Sequence, residues 1–289
     1  MSKITETDYQ EYSKLIEEGH SQRSACLILG LNRVNVKTVK SKLYYEGKVF
    51  PTRDFGDVVV LDYVNGHKVL VKFLETGYET FTSTGHIKDG AIKDKLSPTV
   101  CGVGILGDIK EKLEGTDFFA YRAWVGMIER CYSDSNPCHR KTYAGCTVTD
   151  NFRYFPYFKD WCNNQIGFGN KGWQLDKDIL VKGNKMYSET TCIFIPQRIN
   201  ALLTKSNATR GKHPIGVSWK KQSDRYSARC NTDRGVAKHL GYFDTPEEAF
   251  CVYKAYKEQL IKDVANNYKD LLDSHAYDAL MNYSVDIDD

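Results

Sequence analysis

Two apolar, valine-rich runs flank one Asn-Gly pair: VVVLDYV over 58–64, Asn65-Gly66, then KVLVKFL over 68–74. β-Branched residues of this kind favour the extended chain, in which successive side chains point to opposite faces. Asn-Gly supplies the positive φ angles that a two-residue hairpin turn requires. An antiparallel hairpin is therefore the firmest local expectation in the chain. A third strand, YETFTS, follows Thr76-Gly77. Residues 49–100 read as a small antiparallel β-module. It carries no catalytic pattern, so packing is its expected role, with backbone contact to nucleic acid as the alternative.

The period changes on both sides of this module. Upstream, Tyr9, Tyr12, Leu15 and Ile16 recur at helical spacing. Gly19 ends that helix. Ser21 is placed to cap a second helix, which stops near Gly30, and Asn32 to cap a third bearing Val36, Val39 and Leu43 on one face. Arg33, Lys37, Lys40 and Lys42 occupy its other sides. Helix, glycine-containing turn and basic helix is the helix-turn-helix order. The stretch GHSQRSACLILGLNRVNVKTVKSKL resembles the small helix-turn-helix modules of resolvases and phage regulators. That resemblance implies a DNA contact through Arg33, Lys37 and Lys40. A three-helix bundle used only for packing is the alternative.

Downstream, SPTVCGVGILGD is rich in turn residues and suits a linker. Its GVGILG lacks the glycine spacing of a dinucleotide fingerprint. Phe119, Ala123, Trp124, Met127 and Ile128 then form a core-facing helical stripe. Residues 211–268 read as three strands (IGVSW, RYSARC, VAKHLGYF) and a helix. Thr245 caps that helix, with Pro246 at its first position and Glu248 completing a capping-box pattern. The expected fold class is α+β and multi-domain, since 289 residues exceed one small core. The expected modules are a helix-turn-helix (1–48), the β-module (49–100), a ββα module (117–204), a three-stranded sheet plus helix (210–268) and an acidic C-terminal tail (269–289).

The formal net charge of +3 conceals a local excess. Between Lys205 and Lys238 stand Lys205, Arg210, Lys212, Lys220, Lys221, Arg225, Arg229, Arg234 and Lys238 against Asp224 and Asp233. Such a stretch suits a phosphate footprint. A sheet backed by one helix has a free face, for which Trp219, Lys220, Lys221, Arg225, Arg229, Arg234 and Lys238 are candidates; sequence alone leaves the register open. The motifs G-V-x-W, R-Y-x-A and L-G-x-F-D-T-x-E-E-A, spread over GVSWKKQSDRYSARC and HLGYFDTPEEAFCVYKAYKE, resemble the plant ethylene-response-factor DNA-binding domain and its phage relatives. The resemblance implies a sheet in the major groove, with arginines and tryptophan on base edges and sugars and lysines on phosphates.

The central segment resembles a phage HNH endonuclease subfamily. The matching residues are Tyr121, Trp124, Met127, Arg130-Cys131-Tyr132, Tyr143, Gly145, Phe158, Trp161, Trp173, Leu175-Asp176-Lys177, Asn184, Tyr187-Ser188, Cys192 and Asn200. An HNH site is a hairpin and a helix around one divalent ion, with a histidine as general base. Aligned on that plan, Asp176 takes the first-ligand position, Lys177 the base position, and Thr191 the helix-ligand position. Lysine is a poor base near neutrality, and no histidine lies between His139 and His213. If the chain still cuts, Asp176 and Asp178 would hold Mg²⁺; on a strand, two positions apart, they would share a face. Pairing with a cation is the structural alternative for Asp176. Cys131, Cys138, His139, Cys146 and Cys162 show no C-x₂-C spacing, so buried free thiols are expected in place of a zinc site.

The polar N-terminus, the lack of any run of ~18 apolar residues and the nine cysteines favour a reduced compartment and no membrane contact. With the phage resemblances, this gives the cytoplasm of a bacterial host. The expected partner is double-stranded DNA, bound by a sequence-specific regulator with a degenerate nuclease site. The rivals are an active Mg²⁺-dependent endonuclease or nickase, and an interaction protein aimed at a host or competitor factor.

Overall fold

Thr5, Ser21 and Asn32 start three successive helices, each by satisfying a backbone N–H that the first turn leaves free. Thr5 and Asp8 form a reciprocal capping box at the head of α1 (Glu6–Glu17). Ser21 Oγ accepts from Ser24 N ahead of α2 (Gln22–Ile28), and Asn32 Oδ1 accepts from Val34 N ahead of α3 (Arg33–Tyr45). The computed structural model describes residues 5–109, 112–133, 143–204 and 212–287. The chain divides into two compact units, residues 1–98 with 105–108, and residues 99–104 with 109–289. The sequence boundary at 48/49 thus falls inside the first unit, and the one near 204–210 inside the second. No helix among the described residues is long and apolar enough to cross a membrane.

In the first unit, β1 (Val49–Pro51), β2 (Asp57–Asn65), β3 (Lys68–Phe73) and β4 (Glu79–Thr82) form an antiparallel sheet in that order. Val58, Val60, Tyr63, Val69, Val71 and Phe73 bury one face, closed by Ile87 of α4 (Thr84–Asp89). Tyr45 of α3 joins this core and stacks on Tyr63 at 5.7 Å between ring centres. The hairpin forms as expected, but its loop is Gly66-His67: Asn65 pairs with Lys68 and its Oδ1 accepts from His67 N. Register shifts in β2 account for the one-residue displacement.

β5 (Pro98–Val100) and β6 (Gly104–Ile105) lie where the chain passes from one unit to the other. The second unit begins with α5 (Gly115–Tyr132), which buries Ala120, Trp124, Met127 and Ile128. Trp124 also donates from Nε1 to the Phe152 carbonyl at 2.8 Å, so the indole is satisfied as well as buried. β7 (Thr147–Val148), α6 (Asp150–Arg153) and α7 (Phe155–Asn163) supply an aromatic core of Phe152, Phe155 and Phe158 around it. Next come β8 (Trp173–Asp176), β9 (Met186–Tyr187, parallel to β7), β10 (Ile193–Pro196, antiparallel to β8) and α8 (Gln197–Leu203).

β11 (Val217–Lys220), β12 (Arg225–Asn231) and β13 (Ala237–Phe243) make a three-stranded antiparallel sheet. It is backed by α9 (Pro246–Asn267), in which Thr245 Oγ1 accepts from Glu248 N. The first half of α9 places Phe250 and Tyr253 against Cys230 and Val285. The second half places Ile261, Val264 and Ala265 against Ile193, Ile195, Ile199 and Leu202 of the β8–β10–α8 segment. The segment 269–289, read as an acidic tail, contains α10 (Ser274–Met281), with Ala276 and Leu280 buried in that second core. Val285 is buried beside Tyr253, and Asp286 pairs with Lys182. Apolar residues at helical spacing override the acidic composition here.

Candidate nucleic-acid interface and a separate cleft

Strand register decides which side chains share a face. Val217 pairs with Ala228, Trp219 with Tyr226, Cys230 with Lys238, and Arg229 with His239. Val217 and Cys230 pack on α9, so every residue in their alternation points that way. The opposite face carries Ser218 and Lys220 from β11, and Arg225, Ser227, Arg229 and Asn231 from β12. His239 and Tyr242 come from β13. A bulge at Ala228/Arg229 leaves Leu240 as the extra residue, so the alternation of β13 holds on both sides of it.

The candidate list therefore splits. Lys220, Arg225 and Arg229 share the helix-free face. Trp219 and Lys238 do not. Trp219 stands edge-on to Tyr226 at 4.8 Å, and Lys238 Nζ lies 4.7 Å from the centre of the Tyr256 ring of α9. Both corrections follow from register, which alternation alone leaves free by one residue. Lys221 and Arg234 sit in the exposed turns that follow β11 and β12. Lys205 and Arg210 lie outside the described residues. On the free face, Arg225 Nε and Nη2 both reach Asp244 Oδ1 at 2.9 Å, which fixes that guanidinium. Among the described residues Lys220 and Arg229 have no ion-pair partner. Ser227 is fully buried at the centre, its Oγ 3.2 Å from His239 Nδ1, and His239 packs on Tyr242 with ring centres 4.6 Å apart. Sequence reading missed Ser218, Asn231, His239 and Tyr242; counting alternation outward from Ala228 would have found them.

Gly216, ahead of β11, explains the glycine of G-V-x-W. Its φ is +78°, and a Cβ there would overlap the Tyr253 ring of α9. The sheet and helix approach each other only where that side chain is missing.

On α3, Arg33, Lys37 and Lys40 are all exposed and fall at i, i+4 and i+7, one stripe of the helix. Val36 faces inward, Val39 is half-buried, and Leu43 is 41% exposed in spite of its place in the expected apolar row.

The β8–β10–α8 segment has the strand–strand–helix order, yet its candidate catalytic residues are arranged for structure. Lys177 is only 5% exposed; its Nζ is 2.7 Å from both Asp178 Oδ1 and the Asn184 carbonyl. A buried ammonium held by a carboxylate has no free pair with which to take a proton. β8 ends at Asp176, whose Oδ1 accepts from the backbone of Asp178 and Ile179 at 2.8 Å. The chain therefore turns, and Asp178 leaves the strand face it was expected to share. Burial pushes the Asp176 carboxyl up from the usual carboxylate range, against the pull of those two N–H groups. Thr191 lies before β10, not on a helix, and its hydroxyl donates to the Met186 carbonyl at 2.9 Å. Among the described residues no cluster of three His, Cys, Asp or Glu is gathered. With Asp178 bound to Lys177 and Thr191 turned to the backbone, these side chains do not fit a Mg²⁺ site.

The thiols of this segment are packing groups. Cys146, Cys162 and Cys192 are buried, and burial pushes the thiols of Cys131 and Cys192 up to about 12. Cys138 and His139 lie outside the described residues.

A cleft of about 1200 Å³ opens between α5 and β8, bordered also by the loop Lys182–Lys185. Arg130 projects into it. Its Nε donates to Tyr187 Oη at 3.0 Å, and its guanidinium carbon lies 5.5 Å from the Tyr187 ring centre and 5.7 Å from that of Tyr143. The resemblance named Arg130 and Tyr187 without giving either a role. Comparison with protein families, with curated proteins and with solved structures finds no match to this chain.

Proposed function

We propose that this chain is a sequence-specific double-stranded DNA-binding protein, derived from phage HNH homing endonucleases, whose β8–β10–α8 segment has lost its catalytic use. One observation carries the reading: Lys220, Arg225 and Arg229 converge on the face of the β11–β13 sheet that α9 leaves bare. A sheet about three strands wide fits a major groove. Arg229, without an ion-pair partner among the described residues, is suited to a guanine edge through its guanidinium fork, and Lys220 to phosphate. Arg225 is held by Asp244, so it reaches DNA in one orientation. Ser218, Asn231 and His239 add donors and acceptors around them. The exposed stripe Arg33, Lys37 and Lys40 is a second, independent basic surface. Joined in one chain, two readers raise each other's effective concentration on a long site.

The test is a footprint on the genome that encodes the protein, followed by binding titrations on the protected sequence. Arg229→Ala relaxes discrimination at one base pair, whereas Lys220→Ala weakens all sequences alike and lowers the salt slope by about one. Negligible change in both variants would remove the sheet as the reader.

A further inference from the structure

The cleft between α5 and β8 has the makings of a second contact. Arg130 is a half-buried cation with no carboxylate partner among the described residues. Unpaired charge withdrawn from water is costly unless an anion completes it. Its position is nevertheless built. Two tyrosine rings flank it, Tyr187 Oη fixes Nε, and Nη1 lies 3.3 Å from where a Cβ on Gly126 would stand. Glycine on the inner turn of α5 thus makes room for the guanidinium against the helix.

The rest of the lining favours an anion. Arg122 and Lys185 reach the same cleft from α5 and from the Lys182–Lys185 loop, and both are exposed. Of the carboxylates there, Asp178 is neutralised by Lys177, and Asp176 is bound by two backbone N–H groups. A cleft of about 1200 Å³ exceeds a free phosphate by far and admits a stretch of polymer. A planar fork held at fixed height is the side-chain geometry that takes two phosphate oxygens at once.

We infer that this cleft binds the phosphodiester backbone of a DNA strand, with Arg130 as its central contact and Arg122 and Lys185 as flanking ones. The identity of the polyanion rests on the DNA-binding reading above; the site itself rests on Arg130.

The experiment is fluorescence anisotropy of the full-length chain on a labelled DNA duplex, repeated over a range of KCl concentrations. Arg130→Gln keeps an amide for Tyr187 and removes the charge. It is expected to weaken binding roughly tenfold and to reduce the salt slope by about 0.9. Gly126→Ala keeps every charge, favours the helix and crowds Nη1; it is expected to weaken binding by a smaller factor with little change in slope. It serves as the second variant if Arg130→Gln melts early by circular dichroism. Unchanged affinity and slope in a folded Arg130→Gln, or in Gly126→Ala where that variant must serve, overturn the proposal. If Arg229→Ala weakens binding at the same time, the sheet reading survives its failure. Loss at Arg130 with no effect at Arg229 or Lys220 supports the cleft and removes the sheet. Failure of the wild-type chain to bind any duplex overturns both.

Discussion

The free face of the β11–β13 sheet and the Asp176–Thr191 region of the β8–β10–α8 segment both gather polar side chains, and they treat them in opposite ways. On the sheet, Lys220 and Arg229 have no ion-pair partner among the described residues, and Arg225 keeps an exposed one. Around Lys177 the groups satisfy one another: ammonium to Asp178 and the Asn184 carbonyl, Asp176 to its own turn, Thr191 to Met186. Groups already paired add little to an incoming ligand, since binding them means breaking an existing bond. Unpaired cations at a surface offer their whole interaction to a partner. On the proposed reading, the difference separates a surface suited to recognition from one whose groups serve stability, although the sequence presents both as equally polar.

The comparison is open to mutation. The largest effect is expected at Gly216→Val, which needs positive φ and meets Tyr253; loss of about 4 kcal/mol or more in thermal melts, together with loss of DNA affinity, would show that helix–sheet closure makes the reading face. Lys177→Met should cost about 2–4 kcal/mol of stability, read by urea unfolding, and, by leaving Asp178 unneutralised in the cleft, weaken DNA binding of the folded fraction by less than Arg229→Ala does. An affinity loss without a stability loss would turn Lys177 into a functional residue and erase the contrast. Arg229→Ala should leave stability within about 0.5 kcal/mol and reduce specific binding by about 1–3 kcal/mol. Lys238→Ala gives the smallest change, under about 0.5 kcal/mol in binding, because the side chain rests on Tyr256 behind the sheet. A Lys238 effect equal to that of Arg229 would mean that the faces are assigned the wrong way round.

Much of the architecture could be read before any coordinates. Ser21, Asn32 and Thr245 cap where their side chains predict, because capping is decided within a single turn. The three strands near 215–243 follow from local alternation. Their facing does not: moving a register by one residue exchanges the two sides, and it is the contact of Val217 and Cys230 with α9 that settles it. Asp178 escaped for a related reason. Two residues apart implies one face only while a strand continues, and the Asp176 side chain ends it by bonding forward along the chain. Ala276 and Leu280 stand four apart on α10, a spacing that the neighbouring aspartates concealed.

The double duty of α9 has a geometric consequence. Its 22 residues, about 33 Å of helix, serve the sheet at Phe250 and Tyr253 and the other core from Ile261 onward. Each residue added between those anchor points turns one end about 100° against the other. A single insertion near Lys257 therefore unseats whichever core yields first, while a four-residue insertion nearly restores the facing and lengthens the spacing by about 6 Å. Span and orientation between the two surfaces are set together by one rod, so evolution can retune them only in whole helical turns.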